Sequence, residues 1–348
     1  MRRQRTGRAK RSKVGDTDGS EIDLPFKSPY DWQTIMRFYQ SHLIPGLERV
    51  TANSFERVFR IEGRTGIVRI EKMVGVPQLK VRIAPDQPEI RADVIERVRK
   101  MFDLDCDPIL IRKSFRRIPL LAALCQRSPG LRLPRGWDPF ETAICSILGQ
   151  LVSAPQRANL IGQLVQNYGA AIAHPSSGEN MRLFPEAAVL AQADLNAVRT
   201  TIARREAIRD FSRRVLSGAI SLSETQDRAA FRKALLDTKG LGPWSAEYIS
   251  LRAIGDTDAF PKTDLILKRA LLLHPELDLA LIKPWRAYAA TYLWQEFAQS
   301  LSKSKKENNL EATLQRVRIP RRQAQTGGKL QRVGRGALGT RPAKPSKA

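Results

Sequence analysis

The feature that most constrains this chain is a change of hydrophobic period near residue 106. Before it, three short runs, Ser54–Ile61, Thr65–Lys72 and Gln78–Ile83, alternate Val, Ile or Phe with Arg, Glu or Lys. Period two puts the apolar side chains on one side of an extended chain, and Gly or Pro separates the runs, so half-exposed antiparallel strands are predicted. Helical patterns flank them, one from Tyr30-Asp31-Trp32 to about His42 and one over Ala92–Phe102, where Val94, Ile95, Val98, Met101 and Phe102 recur at helical spacing. From Asp107 onward the pattern is helical almost throughout. The expected class is α+β, with a small antiparallel-sheet domain over 20–105 and an all-helical body over 106–300.

Local signals mark where the body's helices start and stop. Asp138-Pro139-Phe140-Glu141 reads as an N-cap, a proline in the first turn and a capping-box acid. Ser153-Ala154-Pro155-Gln156 repeats the start signal, and Gly169 ends that helix. Asp194–Val215 and Asp227–Leu236 are further helical stretches. Lys239-Gly240-Leu241-Gly242-Pro243 is a tight break before a helix over Trp244–Ile254. Pro261 interrupts again, then helices are expected at about Asp264–Leu272 and Trp285–Ala298.

The net charge of +24 is unevenly placed, eighteen of it in residues 1–13 and 303–348. The ends, 1–19 and 301–348, are expected to be disordered basic segments, and the surplus suits a polyanion, whose phosphates Lys and Arg neutralise. Only three cysteines occur, Cys106, Cys125 and Cys145, with no C-x-x-C, which argues against a disulfide scaffold, a zinc site or an iron–sulfur cluster. No apolar run approaches a membrane span, and no apolar signal core follows the Arg-rich start. A soluble protein of a reducing compartment is expected. His42, His174 and His274 do not cluster with acids or cysteines at ligand spacing, so no metal site is expected, and Asp256 and Asp258 read as turn formers.

Leu235–Ala270 carries the most chemistry. A helix, a Gly-x-Gly hairpin and a second helix form a concavity whose backbone N–H groups and helix N-terminus can hold an anion such as a DNA phosphate. About twenty residues beyond, after a Phe-Pro break, Asp264 opens a new helix. Alone, Asp264 reads equally as a first-turn acid or as a partner for Lys268.

That combination resembles the helix-hairpin-helix DNA glycosylase superfamily, and within it the bacterial alkylation-inducible 3-methyladenine DNA glycosylases. Similar elements recur in the family's order: Pro29-Tyr30-Asp31-Trp32, Phe102-Asp103-Leu104, Pro129-Gly130-Leu131-Arg132-Leu133-Pro134, Ile147-Leu148-Gly149-Gln150-Leu151-Val152-Ser153, the hairpin, and Lys283-Pro284-Trp285-Arg286. The likeness covers about 28–296 and implies a two-lobed helix-hairpin-helix body with its hairpin at 239–243.

The resemblance also implies roles. Asp264 falls at the catalytic aspartate, where a carboxylate stabilises the positive charge that builds on deoxyribose as the glycosidic bond breaks. Trp244 and Tyr248, at i and i+4, and Trp294 would line a base pocket whose aromatic faces suit a cationic alkylated purine. Leu151 would be the wedge that fills the gap left by a flipped base, with Gln150 beside it. Lys239, Gly240, Leu241 and Gly242 would grip the backbone, Lys239 standing where proline is frequent in the family. Trp244 occupies the position at which family lyases carry the Schiff-base lysine, so hydrolysis alone is implied, ending at an abasic site. No cysteine follows Cys145, which excludes the cluster-bearing branches. No cofactor is implied for the reaction, but hairpin carbonyls would hold a monovalent cation. The implied partner is duplex DNA with alkylated bases, bound by a cytoplasmic monomer. Excision of oxidised or deaminated bases is the runner-up, and a non-enzymatic DNA-binding protein is the alternative from another class.

Overall fold

The computed structural model describes residues 19–174 and 177–297. All but the last residue of the basic segment expected at 1–19, the whole of that at 301–348, and the end of the last helix at Ala298 lie outside the described residues. Five antiparallel strands, β1 (Ser20–Pro25), β2 (Glu48–Val50), β3 (Ser54–Ile61), β4 (Arg64–Lys72) and β5 (Gln78–Ala84), form one sheet in the order β1-β5-β4-β3-β2. The three predicted strands are its centre, paired in register as Val58↔Ile67 and Ile70↔Val81. The two edge strands are short, β1 alternating only over Glu21–Leu24 and β2 spanning three residues, and do not stand out in sequence.

Helices α1 (Trp32–His42) and α2 (Pro88–Met101) pack on the sheet through Trp32, Met36, Tyr39, Val94 and Val98 against Phe55, Val68 and Val81. The sequence suggests strands exposed on one side, but β3 is buried along nearly its whole length. Val58 joins the core of the helical body, and Arg57, 2% exposed, pairs with Glu48 and with Glu141 at 3.0 and 2.8 Å. What looks like a solvent face is therefore a domain interface. Glu141 is thereby drawn away from the capping-box role, while Asp138 does cap α5 (Pro139–Leu148) by accepting from the Phe140 and Glu141 N–H groups.

The body holds α3 (Pro108–Phe115), α4 (Pro119–Arg127), α5, α6 (Ala154–Tyr168), α7 (Ala187–Gln192), α8 (Ile202–Leu216), α9 (Arg228–Leu236), α10 (Pro243–Arg252) and α11 (Leu265–Leu273), then a helix α12 over 286–297. A two-stranded ribbon, β6 (Ala171–Ala173) with β7 (Asn180–Arg182), interrupts the helices. The helix expected to start at Asp194 begins only at Ile202: Asp194 accepts from the Asn196 N–H in a local turn, and Thr201 is the cap.

The body has two cores. One joins α5, α6, α8, α9 and α10 through Ile144, Leu160, Phe211, Leu235 and Ile249. The other joins α3 and α4, next to the sheet domain in sequence, with 251–293, through Phe115, Leu121, Leu251, Leu267 and Tyr288. Helix α10 contributes Ile249 to the first core and Leu251 to the second, so it lies in the seam between the lobes.

Candidate active site

The hairpin starts where α9 ends. Thr238, 1% exposed, returns its hydroxyl to the Ala234 carbonyl and accepts the Leu241 N–H at 3.1 Å. Gly240 has φ +84°, and a Cβ there would sit 2.9 Å from the Ala207 methyl, so both backbone and space call for glycine. Leu241 is buried in the first core and anchors the turn. Gly242 is the N-cap of α10, with Pro243 in its first turn. The hairpin is partly self-satisfied: the Lys239 N–H donates to Asp210 at 3.3 Å, and its ammonium pairs with Glu206 at 3.1 Å on the surface. With Leu241 turned inward, the Gly240 and Gly242 N–H groups remain for an anion.

Asp264 is the N-cap of α11, one residue ahead of the helix. Its Oδ1 accepts from the Ile266 N–H at 3.0 Å, the Leu267 N–H at 3.2 Å and Trp294 Nε1 at 3.0 Å. Its Oδ2 accepts from Trp244 Nε1 at 3.0 Å. Two indoles, one from α10 and one from α12, thus hold the carboxylate from both sides. Oδ1 is saturated, whereas Oδ2 keeps a lone pair for a further partner. The helix cap thus fixes Oδ1 and leaves Oδ2 the more available oxygen of the carboxylate.

Trp244 stacks on Tyr248 with ring centroids 4.9 Å apart, and Tyr248 meets Trp294 edge to face at 6.1 Å. The three predicted pocket aromatics therefore come together with Asp264. Trp244 and Tyr248 line a cavity of about 260 Å³ that runs between α1, α5 and α10. Trp294 does not line it but backs Tyr248 and anchors the carboxylate. Sequence reasoning missed much of the wall: Phe38 and His42 of α1, Cys145 and Ser146 of α5, and Arg252 at the far end of α10. The one sequence signal was the spacing of Trp244, Tyr248 and Arg252, four residues apart on one helix face. His42 stacks on Phe38 at 4.0 Å, and burial with Arg157 nearby pushes it down to about 3, so the ring is neutral. Burial likewise raises the Cys145 thiol, which stays protonated.

Leu151 follows α5 in the turn before α6. It is fully exposed and has φ +54°, a left-handed conformation that costs a leucine strain. An apolar side chain held out at that cost by a supported turn is what a wedge needs. The support is local: Arg204 donates to the Gln150 carbonyl at 2.6 Å. Gln150 Nε2 donates to the Gly240 carbonyl at 3.2 Å and to Ser245 Oγ at 2.8 Å, tying the Leu151 turn to the hairpin. Asp256 and Asp258 pair with Arg232 and Arg286, as turn-forming acids do.

Residues 21–138 match the family model of the AlkA N-terminal domain. A Mycobacterium tuberculosis protein named "Probable bifunctional transcriptional activator/DNA repair enzyme AlkA" is 30% identical over 285 residues, 78% of this chain. The match spans only 56% of that relative, so the chain corresponds to about half its length. DNA-3-methyladenine glycosylase 2 of Escherichia coli is 28% identical over 281 residues, covering 78% of this chain and 95% of that one. The solved 3-methyladenine DNA-glycosylase of Archaeoglobus fulgidus superposes with a TM-score of 0.67 at 17% identity, covering 79% and 97%. The fold, a five-stranded domain followed by two helical lobes around a hairpin, is shared with that solved structure. In sequence the chain is similar to the AlkA N-terminal domain over residues 21–138 and to the AlkA-named and 3-methyladenine glycosylase relatives over 78% of its length. Among the described residues, no helix is long and apolar enough to cross a membrane.

Proposed function

We propose that this protein is a monofunctional DNA glycosylase of base excision repair, acting as a cytoplasmic monomer on duplex DNA. It hydrolyses the N-glycosidic bond of alkylated bases of the 3-methyladenine or 7-methylguanine type and leaves an abasic site. The observation that carries the reading is the Asp264 carboxylate, fixed by two indole N–H groups and two backbone N–H groups beside an aromatic cavity.

Each part has a task. The Gly240 and Gly242 amides and the start of α10 grip a phosphate without reading sequence. Lys239 can exchange its exposed pairing with Glu206 for a phosphate at little cost, because such pairs are worth about 0–1 kcal/mol. Leu151 enters the gap that the flipped nucleotide leaves. Trp244 and Tyr248, stacked on each other, wall the space for the extruded base, and Asp264 Oδ2 faces the sugar. As the glycosidic bond lengthens, positive charge on the sugar is stabilised by the carboxylate, and water adds to C1′. Trp244 supports restriction to hydrolysis, since it has no amine and its N–H is committed to Asp264. No cofactor enters these steps. A monovalent cation at the hairpin would be held by backbone carbonyls such as that of Gly240, which accepts Gln150 Nε2 and keeps a second lone pair, and would supply positive charge for an anion there.

The test is a panel of lesion-bearing duplexes with mass detection of the released base. Release of methylated purine with an unbroken, alkali-labile strand is expected. DNA binding with no base released from any duplex would overturn the reading, and strand cleavage without alkali would overturn its monofunctional part.

A further inference from the structure

His42 closes α1 and lines the same cavity as Trp244 and Tyr248. Its ring stacks on Phe38, with centroids 4.0 Å apart and planes 18° from parallel. Nδ1 lies 2.9 Å from the Phe38 carbonyl, one helical turn back, and 2.9 Å from Ser41 Oγ. A carbonyl can only accept, so Nδ1 carries the ring proton. The Ser41 hydroxyl donates to the same carbonyl at 2.8 Å, which leaves its oxygen to accept as well. Burial and the nearby Arg157 guanidinium keep a second proton off the ring. Nε2 is therefore a bare acceptor, and no group among the described residues bonds it. The carboxylates of the wall differ, since each oxygen of Glu48 and Glu141 already holds a donor, from Arg57 or from the Ile44 N–H. A polar atom left unpaired in an aromatic cavity points to a ligand that supplies its partner.

We propose that His42 is a specificity-determining residue of the pocket, its Nε2 accepting a hydrogen bond from an N–H on the edge of the flipped base. This deepens the glycosylase reading above and rests on it. Both proposed lesions carry such a donor: the 6-amino group of 3-methyladenine, and the N1–H or 2-amino group of 7-methylguanine. While joined to the sugar, either methylated purine is a cation, and its charge strengthens those N–H donors. A neutral imidazole accepts them without the repulsion that a charged ring would bring, and the incoming cation further opposes protonation of the ring. A base with no N–H at that edge leaves Nε2 desolvated and unpaired, which is where discrimination arises. As the glycosidic bond breaks, its electron pair neutralises the base and this hydrogen bond weakens. His42 therefore acts on capture of the base, and Asp264 on the bond that breaks.

Two uncleavable cations isolate the donor: 3,9-dimethyladeninium keeps the 6-amino group, and 3,9-dimethylpurinium lacks it. Each is added as a competitor of methylated-purine release from duplex DNA, and the ratio of their inhibition constants is read. Wild type is expected to favour the amino cation about tenfold, as a hydrogen bond with one charged partner allows. His42→Phe keeps a ring against Phe38 but has no acceptor, so both cations should then inhibit within about twofold of each other. His42→Gln, whose amide oxygen accepts, is expected to recover part of the preference. Both constants come from one preparation, so the folded fraction cancels. A histidine that only packs on Phe38 would lower both affinities together and leave the ratio unmoved. Equal inhibition in wild type overturns the proposal, as does the wild-type ratio retained in folded His42→Phe. Should that variant not fold, nitrogen NMR of wild type with isotope-labelled histidine decides. A neutral ring protonated at Nδ1 is expected from about pH 5 to about pH 8, with Nε2 shifting on addition of the amino cation and not of the other. A ring protonated at Nε2, or an Nε2 signal indifferent to the amino cation, overturns the proposal. Failure of wild type to release any methylated purine would sink the glycosylase reading, whereas release that both cations inhibit equally, or neither inhibits, sinks only the role of His42.

Discussion

Replacing Asp264 by Asn removes one charge while leaving the local hydrogen bonds almost intact, and the structure says what each part is worth. The amide carbonyl can take the place of Oδ1, keeping the Ile266 and Leu267 N–H groups and the Trp294 indole. Asn caps a helix about as well as Asp, so α11 persists. The amide nitrogen then takes the place of Oδ2 and meets the Trp244 N–H, 3.0 Å away, donor against donor. Losing that one charged hydrogen bond costs about 1.5–3 kcal/mol of stability. The effect on chemistry is larger. A unit charge about 4 Å from a developing cation, at an effective dielectric near 20, is worth about 4 kcal/mol, or about a thousandfold in rate. The assay is single-turnover release of methylated purine, run beside thermal unfolding and duplex affinity. The variant is expected to stay folded, to bind DNA at least as tightly because a negative charge has gone, and to release base about a thousandfold more slowly. Release within about tenfold of wild type by a folded variant would refute the electrostatic argument. A rate loss accompanied by loss of the cooperative unfolding transition would show that the cap alone had been tested.

Three further outcomes follow from particular contacts. Leu151→Ala removes an exposed side chain, so stability should stay within about 0.5 kcal/mol, while base release from intact duplex falls and release from single-stranded substrate does not; equal effects on both substrates would contradict a wedge. Gly240→Ala must hold φ +84° and push on the Ala207 methyl at 2.9 Å, so a loss of about 1–3 kcal/mol by denaturant unfolding is expected, together with weaker duplex binding; unchanged stability and affinity would show that the hairpin relaxes freely. Glu48 shares Arg57 with Glu141, and burial pushes its carboxyl up to about 7 from 4.5. The folded state then holds a proton that the unfolded chain has released, so stability falls as pH rises from about 4.5 to 7, by at most about 3 kcal/mol from this group. Glu48→Gln should flatten that slope in denaturant melts, and an unaltered slope would assign it elsewhere.

The sequence by itself determined the elements whose causes lie within a few residues. Period-two runs became the centre of the sheet, and Asp138, Ser153, Asp227 and Asp264 cap the helices that follow them, because a cap needs only a side chain and the next two or three N–H groups. The pairing of hairpin and Asp264 was legible for the same reason, as were Trp244 and Tyr248 on one helix face. The edge strands were not, since β1 is defined by a partner more than fifty residues on and β2 is only three residues long. Nor was the second face of β3, which reads as solvent-exposed until a helical body covers it. Only the tertiary structure decided how the site is finished. Trp294, thirty residues beyond Asp264, becomes a ligand of its carboxylate as well as a neighbour of Tyr248. Phe38 comes from the first domain and Pro134 from the crossing to the second, and both close on Arg252. These meetings depend on which apolar faces find one another over thirty to more than two hundred residues, and no local spacing encodes that choice. The carboxylate we propose as catalytic was thus written in the sequence, while the buried charge of Arg252 emerged only from packing.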